Sequence, residues 1–201
     1  MFDLLRADLA HSYLLETGQR RPPLLKRMRV ALDSPAIQGI VVYRFGSFVH
    51  TCRMPRICRR VLGFVHFFLD KITIAMWGVH VDARARIAGG LYIGHTGGVY
   101  VGPVTMGPDC CVAHNVTIGL RTDRRTPGVP ELGARVWVGA GAVVFGKIKI
   151  GDGASIAPLT LVGRNVAPRT LVCGNPMQVL SRNYDNTMQV FGRRDETPES
   201  H

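Results

Sequence analysis

Aliphatic residues recur at every sixth position over most of the chain beyond residue 80. They form three rows: Val81, Ile87 and Ile93; Met106, Val112 and Ile118; Leu132, Val138, Val144, Ile150, Ile156 and Val162. A glycine or another small residue often comes next. A period of six is neither that of a helix, about 3.6 residues, nor that of a strand, about two. It predicts a triangular parallel β-solenoid, in which each hexapeptide forms a short strand and a turn and directs its aliphatic side chain into a narrow core.

The six-residue period is interrupted twice. Between Val99 and Met106 it slips by one residue, and between Ile118 and Leu132 the spacing is 14 residues, which is one hexapeptide plus eight extra residues. The longer interruption lies within LRTDRRTPGVPE at 120–131, which is polar, basic and rich in turn-forming residues, so we expect a loop that leaves the solenoid. Loops on a rigid scaffold often carry function, and the alternative is a tolerated surface insertion.

Residues 1–76 lack the six-residue period and show helical spacing instead. Apolar residues fit one helix near the start, at Leu4, Leu5, Leu9, Tyr13 and Leu14. Two further helical runs, at 37–54 and 57–76, are set apart by prolines. We therefore predict a mainly β fold in three parts. These are a helical capping and oligomerisation region at 1–76, a β-helix domain at 77–183 that includes the loop, and a flexible polar tail at 184–201.

The formal net charge of +11 is concentrated in the first third of the chain. Residues 1–75 contain 12 Lys or Arg against 5 Asp or Glu, which leaves +7, and four of the arginines cluster at Arg53, Arg56, Arg59 and Arg60. Such a charge suits an anionic membrane surface or an acidic ligand. Nucleic acid is not expected as a partner, because no nucleic-acid module is recognisable and no stacking aromatics alternate with the arginines.

The remaining composition predicts a cytoplasmic protein that holds no metal. The apolar run at 61–69 is much shorter than the ~20 residues of a membrane span, and Asp3, Arg6 and Asp8 interrupt any secretory signal. The five cysteines form neither a CxxC pair nor a zinc-ligand spacing, so we expect reduced thiols.

Four segments resemble the serine acetyltransferase branch of the hexapeptide-repeat acyltransferases. They are GLYIGHTGGVYVG at 90–102, VTIG at 116–119, VWVGAGAVVFGKIKIGDGASIAP at 136–158 and CGNPMQVL at 173–180. The resemblance implies a left-handed parallel β-helix that assembles as a homotrimer or a dimer of trimers, with active sites between neighbouring subunits. It also implies transfer of acetyl from acetyl-CoA, as co-substrate, to a hydroxyl, without a metal. The implied acceptor is serine or, as in relatives of the same build, a sugar of a surface polysaccharide.

His95 matches the position of the family's general base, and Gly94 beside it is assigned to the acceptor site. A histidine within hydrogen-bond reach of the acceptor hydroxyl can take its proton. His114 lies 19 residues further on and, like His95, two residues after a core aliphatic residue, so we expect both rings on one face of adjacent coils. His114 is interpreted as a second base, an acceptor ligand, a partner of His95 or a backbone-bonded turn residue. His80 is either a partner of His95 or structural.

The resemblance also assigns the substrate-binding positions. The acetyl-CoA groove is expected at Gly139, Ala140, Ala157, Pro158 and Arg164. The small residues among these let the co-substrate approach the backbone, and the arginine suits a phosphate. Further acceptor contacts are expected at Arg121, Arg124 and Glu131.

The sequence departs from the family pattern where an amino acid would be held. Gly94 and His80 each stand in the place of an acidic residue, and Gly128 and Val129 stand in the place of an Arg–His pair. The lost groups are those expected to bind the ammonium and carboxylate of serine. Two hypotheses result. One is an acetyl-CoA-dependent O-acetyltransferase that uses His95 as base, and the other is a catalytically weak homologue that serves as an assembly scaffold.

Overall fold

Three faces of short strands form the body of the protein. The computed structural model describes residues 1–119 and 128–192. The first face consists of β1 (Val79–Val81), β4 (Val99–Val101), β7 (Thr117–Gly119), β10 (Val143–Phe145) and β13 (Leu161–Val162). The second consists of β2 (Arg86–Ile87), β5 (Thr105–Met106), β8 (Glu131–Leu132) and β11 (Lys149–Ile150). The third consists of β3 (Tyr92–Gly94), β6 (Cys111–Ala113), β9 (Trp137–Val138), β12 (Ser155–Ile156), β14 (Thr170–Cys173) and β15 (Gln178–Arg182).

All neighbouring strands pair in parallel except β14 and β15, which are antiparallel and close the last coil. The aliphatic residues of the six-residue rows stack in register along the three faces. Val112, Val138 and Ile156, for example, lie above one another on the third face and are at most 1% exposed. The predicted parallel β-solenoid is therefore confirmed, and its core is a column of the predicted aliphatic side chains.

Strand pairing shows how many residues each coil contains. Val138 pairs with Ile156, 18 residues on, as three hexapeptides require. Val112 pairs with Val138, 26 residues on, so this coil contains eight more residues than the standard 18. The excess falls on residues 120–127, inside the predicted loop and outside the described part of the chain. The last residue of the predicted loop, Glu131, already belongs to β8.

The one-residue slip lies at the turn that carries His95. Val101, and not Val99, is in register with Ile118, so eight residues separate Ile93 from Val101 and five separate Val101 from Met106. The predicted position of the slip, between Val99 and Met106, was wrong because Val99 and Val101 are both buried and either fits the inward row. The two extra residues widen the turn that follows Ile93.

Four helices surround the first coil. They are α1 (Phe2–Thr17), α2 (Leu24–Asp33), α3 (Pro35–Thr51) and α4 (Arg56–Trp77). Pro23 and Pro55 immediately precede α2 and α4, and Pro35 opens α3, where the missing N–H costs no helical hydrogen bond. The sequence did not predict α2. That helix buries none of its residues, so its pattern lacks the apolar face by which a helix is recognised.

A buried ion pair fastens the helices to the solenoid. Arg44 on α3 donates from Nε and Nη2 to the two carboxylate oxygens of Asp8 on α1, at 2.7 and 2.9 Å. The same guanidinium donates to the carbonyls of Ile87 and Ala88, at 2.6 and 2.7 Å. Asp8 in turn accepts the backbone N–H of Gly90 and of the residue after it, both at 2.9 Å. Two helices and the segment leading into β3 are thus joined by one polar cluster.

The C-terminal segment differs from the predicted flexible tail. Residues 187–191 form helix α5 (Thr187–Phe191), and the side chain of Val190 is fully buried. The His11 ring lies between the carbonyl oxygens of Gly90 and Val190, each 2.6 Å from a ring nitrogen. Gln189 accepts a hydrogen bond from Ser155 on β12 at 2.8 Å. These contacts hold the segment against α1 and the third face, and residues 193–201 lie outside the described part.

Within residues 1–119 and 128–192, no helix is both long enough and apolar enough to cross a bilayer. All five cysteines lie in this part of the chain and are free thiols.

Candidate active site

The turn that carries His95 is held in an unusual backbone conformation. His95 has φ of 63°, in the left-handed region, and Gly97 and Gly98 follow with φ of 110° and 72°. A Cβ on Gly98 would come within 2.8 Å of Oδ1 of Asn115, so this position accepts only glycine without a shift of its neighbour. Together with the two extra residues, this conformation directs the exposed His95 ring away from the regular outline of the coil.

His114 lies on the next coil and faces His95. The ring centroids are 6.1 Å apart and the ring planes are inclined by 71°. Backbone bonds fix both turns: the Asn115 N–H donates to the Gly97 carbonyl at 2.7 Å, and the Gly141 N–H donates to the His114 carbonyl at 3.1 Å. The structure therefore brings the two predicted histidines together. Among the described residues neither imidazole nitrogen has a hydrogen-bond partner, which leaves both available to a ligand.

His80 does not join this pair. Its Nδ1 lies 2.9 Å from Oδ1 of Asp70 on α4, and its ring lies 4.8 Å from that of Tyr100. The alternative that paired His80 with His95 is thus not what the structure shows, and the structural interpretation of His80 is supported. Where the family has an acidic residue, this chain has a histidine that is itself bound to a carboxylate from the helical part.

The predicted acetyl-CoA positions lie at the same corner of the solenoid as the histidines. Two residues after each aligned core residue of the third face stand, in order, His95, His114, Ala140 and Pro158. The Leu159 N–H donates to the Ala140 carbonyl at 2.8 Å, which stacks successive turns.

The two remaining small residues of the predicted groove flank this column. Gly139 and Ala157 each precede a corner residue. A Cβ on Gly139 would approach Pro158 N to 2.7 Å, so the groove wall here has to be bare backbone. The corner thus runs from two imidazoles to a strip of small residues.

Other predicted site residues are not brought to this corner. Arg164 follows the first face and donates from Nη2 to the Met177 carbonyl at 2.7 Å, within the closing segment. Glu131 lies on the second face and forms an ion pair with Lys149 at 3.6 Å. Arg121 and Arg124 lie outside the described residues.

The positions of the family's Arg–His pair have little room for such side chains. A Cβ on Gly128, whose φ is 146°, would lie 2.8 Å from Cβ of Lys147. Val129 packs against the hydrophobic core.

A cleft of about 1290 Å³ opens beside His95, between the turn, the end of α1 and the length of α2. Its wall contains Glu16, Arg29, Asp33 and Tyr92, none of which the sequence singled out. Asp33 accepts a hydrogen bond from Nε of Arg29 at 3.4 Å, so charges of both signs face the cleft. These residues lie 59 or more positions before His95 or carry no motif, and only the fold brings them to it.

Two groups in the cleft wall have shifted acidities. Desolvation at the cleft wall raises the pKa of Glu16, and a hydrogen bond from Ser34 partly opposes the shift. Burial raises the pKa of the Tyr92 hydroxyl, with the nearby Glu16 carboxylate acting in the same direction. The cleft can thus offer hydrogen-bonding groups that are less readily ionised than they would be in water. No cluster of His, Cys, Asp and Glu suited to a metal ion occurs within the described ranges.

Comparison with known proteins places this site in a family. Over 183 residues the chain is 30% identical to the serine acetyltransferase of Synechococcus elongatus, covering 90% of this chain and 70% of that one. Over 176 residues it is 30% identical to the serine acetyltransferase of Helicobacter pylori, covering 87% of this chain and 98% of that one. The chain belongs to the serine acetyltransferase family. Its members are acyltransferases, and the predicted class of enzyme is confirmed. No family model matches the chain.

Solved structures of the family share the fold. The serine acetyltransferase of Neisseria gonorrhoeae, solved in complex with serine, superimposes with a TM-score of 0.70 at 25% identity, covering 90% of this chain and 69% of that one. The Brucella abortus enzyme, solved in complex with coenzyme A, gives a TM-score of 0.74 at 21% identity, covering 90% and 68%. These likenesses confirm the left-handed β-helix fold predicted from the hexapeptide rows.

Proposed function

We propose that the protein transfers an acetyl group from acetyl-CoA to a hydroxyl and that His95 is the general base. The observation that carries the proposal is the single corner of the solenoid at which His95 and His114 stand next to a strip of small residues and beside a large cleft. The family relatives support acetyl-CoA as the co-substrate. We place its pantetheine arm along Gly139, Ala140, Ala157 and Pro158, and the acceptor in the cleft.

The chemistry needs one base and an oriented acceptor. The acceptor hydroxyl gives its proton to the His95 ring while its oxygen attacks the thioester carbonyl carbon, and a tetrahedral intermediate forms. Its collapse breaks the carbon–sulfur bond, and the departing sulfur takes the proton back from the imidazolium. The products are an acetyl ester and free coenzyme A. Among the described residues, no carboxylate is bonded to His95, so His114 is the group positioned to orient it.

Serine is the first candidate acceptor, because the curated relatives are serine acetyltransferases and one solved relative holds serine. A sugar hydroxyl is the second candidate, and a specific observation favours it. The cleft of about 1290 Å³ is larger than the ~300–1,000 Å³ typical of small-molecule pockets, whereas free serine has only a few heavy atoms. The glycines at positions 94 and 128 also offer no side chain for an amino acid's charged groups.

The deciding experiment measures thiol release from acetyl-CoA with serine and with a panel of sugars. Proton transfer by a positioned histidine contributes ~10²–10⁴ in rate, so we expect His95→Ala to lower acceptor-dependent release at least ~100-fold. His50→Ala is the matched control, because His50 is an exposed histidine at the end of α3 and should leave the rate unchanged. If no acceptor stimulates release and titration calorimetry detects no acetyl-CoA binding, the scaffold alternative replaces the enzyme.

We also propose a homotrimer or a dimer of trimers, with each site completed by a neighbouring subunit, acting in the cytoplasm. The family resemblance supports the assembly, and the five free thiols favour a reducing compartment. Light scattering coupled to size exclusion measures the assembled mass. A monomer that retains full activity would exclude a site shared between subunits.

A further inference from the structure

Helix α4 turns its apolar side away from the rest of the molecule. Its exposed face carries large apolar residues at a spacing of three or four: Ile57, Val61, Phe64, Phe68, Ile72 and Met76. Ile57 is 76% exposed and Phe64 is 65% exposed. The side that packs inward contains polar groups, including Asp70, which pairs with His80, and the buried Thr73. This is the reverse of a helix that covers a core, so the apolar face has another use.

The exposed face is one continuous surface with an aromatic centre. A spacing of three or four residues keeps side chains on one side of a helix. The rings of Phe64 and Phe68 are 4.6 Å apart, and those of Phe67 and Phe68 are 5.5 Å apart, both edge to face. The three rings are thus packed on one another before any partner arrives, and a partner would not have to order them.

Positive charge borders this face. Arg53, Arg56, Arg59 and Arg60 are all exposed at and before the start of α4. At about 100° per residue, Arg60 and the exposed Lys71 lie along the same edge of the apolar stripe. The only carboxylate of α4 is Asp70, whose side chain is 15% exposed and is already paired. The face therefore combines aromatic and aliphatic groups with cations and presents no anion of its own helix.

We propose that this α4 face docks on the surface of an anionic lipid bilayer. An interfacial helix buries its apolar side among the acyl chains near the headgroups and places its lysines and arginines on anionic headgroups. Charge complementarity favours this occupant over a second copy of the chain. A symmetric contact between two α4 faces would bring arginines together without supplying any carboxylate from α4. The described helices cannot cross the bilayer, so the contact is peripheral.

The test uses the full-length protein in sedimentation with vesicles. One set of vesicles is phosphatidylcholine alone, and the other contains phosphatidylglycerol as well. We expect binding to the second set only, weakened by added salt. Phe64→Ser/Phe68→Ser should weaken the affinity about 100-fold, because two buried phenylalanines are lost. Arg59→Gln/Arg60→Gln should weaken it about 30-fold. The matched control is Leu180→Ser on β15, an apolar residue that is 60% exposed and far in sequence from α4.

Several results would overturn the proposal. The first is that the wild type fails to bind phosphatidylglycerol vesicles. The second is that it binds both vesicle types equally or that Phe64→Ser/Phe68→Ser binds as the wild type does. A fall in the assembled mass of Phe64→Ser/Phe68→Ser, with lipid binding absent, would show instead that α4 joins copies of the chain. Thermal unfolding and thiol release with a soluble acceptor should stay at wild-type values in both double variants, because the substituted side chains are exposed and lie outside the active site. A loss of acetyl transfer alone would therefore bear on the enzyme and not on the docking surface.

Discussion

The Asp8–Arg44 pair gives the sharpest test of how the helical part is attached. Its side chains are only 1% and 3% exposed, and the carboxylate accepts four hydrogen bonds. In Asp8→Asn, an oxygen placed at Oδ1 keeps the bonds from Arg44 Nη2 and from the N–H groups of Gly90 and Leu91. The amide NH₂ then faces Nε of Arg44, donor against donor, and the guanidinium is left buried without a counter-charge.

Removing one partner of a buried ion pair typically costs ~3–5 kcal/mol, and we expect Asp8→Asn to lower the free energy of unfolding by about 3 kcal/mol or more. Urea unfolding followed by circular dichroism measures it, at one protein concentration because assembly contributes to stability. The matched control is Asp3→Asn on the same helix, whose side chain is 98% exposed in its pair with Arg6 and should matter little. A loss below ~1 kcal/mol for Asp8→Asn would refute the argument that this pair fastens the helices.

Three further predictions concern other parts of the fold. Gly90→Ala should destabilise by more than about 1 kcal/mol, since φ is 89° and a Cβ would collide with the aspartate of the next coil, whereas Gly63→Ala, with open space inside α4, should stabilise slightly. Burial lowers the pKa of His66, so the unfolded chain binds its proton first. We expect stability to fall as the pH drops below about 6.5, with a smaller slope in His66→Gln than in His50→Gln when unfolding is measured across that range. Burial raises the pKa of the Cys110 thiol to about 12, so mass spectrometry at pH 8 should find it unmodified by iodoacetamide in the folded protein, and rapid labelling would contradict its placement in the core.

The solenoid was predictable because its information is local and repeated. Each inward residue, such as Val138 or Ile156, is specified by its own hexapeptide, and the rows reinforce one another. The position of His95 was also predictable, since it stands at a fixed distance from Ile93. Its juxtaposition with His114 follows from coil length once the slip is counted, and the structure confirms it.

The cleft could not be predicted from the sequence, because its members come from elements without a shared period. Glu16 and Asp33 lie on α1 and α2, and their approach to His95 depends on how the helices are fastened to the first coil. Helix α2 has no buried face to reveal it, and α5 is a short helix in a polar segment whose single buried residue, Val190, has no repeat to mark it. Tertiary contact, and not local pattern, decides these parts.

The His11 contact links the two ends of the described chain in the order in which they are synthesised. The ring joins α1 to the carbonyl of Val190, a residue 179 positions later. A solenoid whose coils pair only with their neighbours can grow one coil at a time as it leaves the ribosome, but α1 cannot reach its final contacts in that way. We expect the first helix to wait, docked at Gly90 but incompletely held, until the last described helix has emerged. Completion of the fold is therefore a late event that checks whether nearly the whole chain has been made.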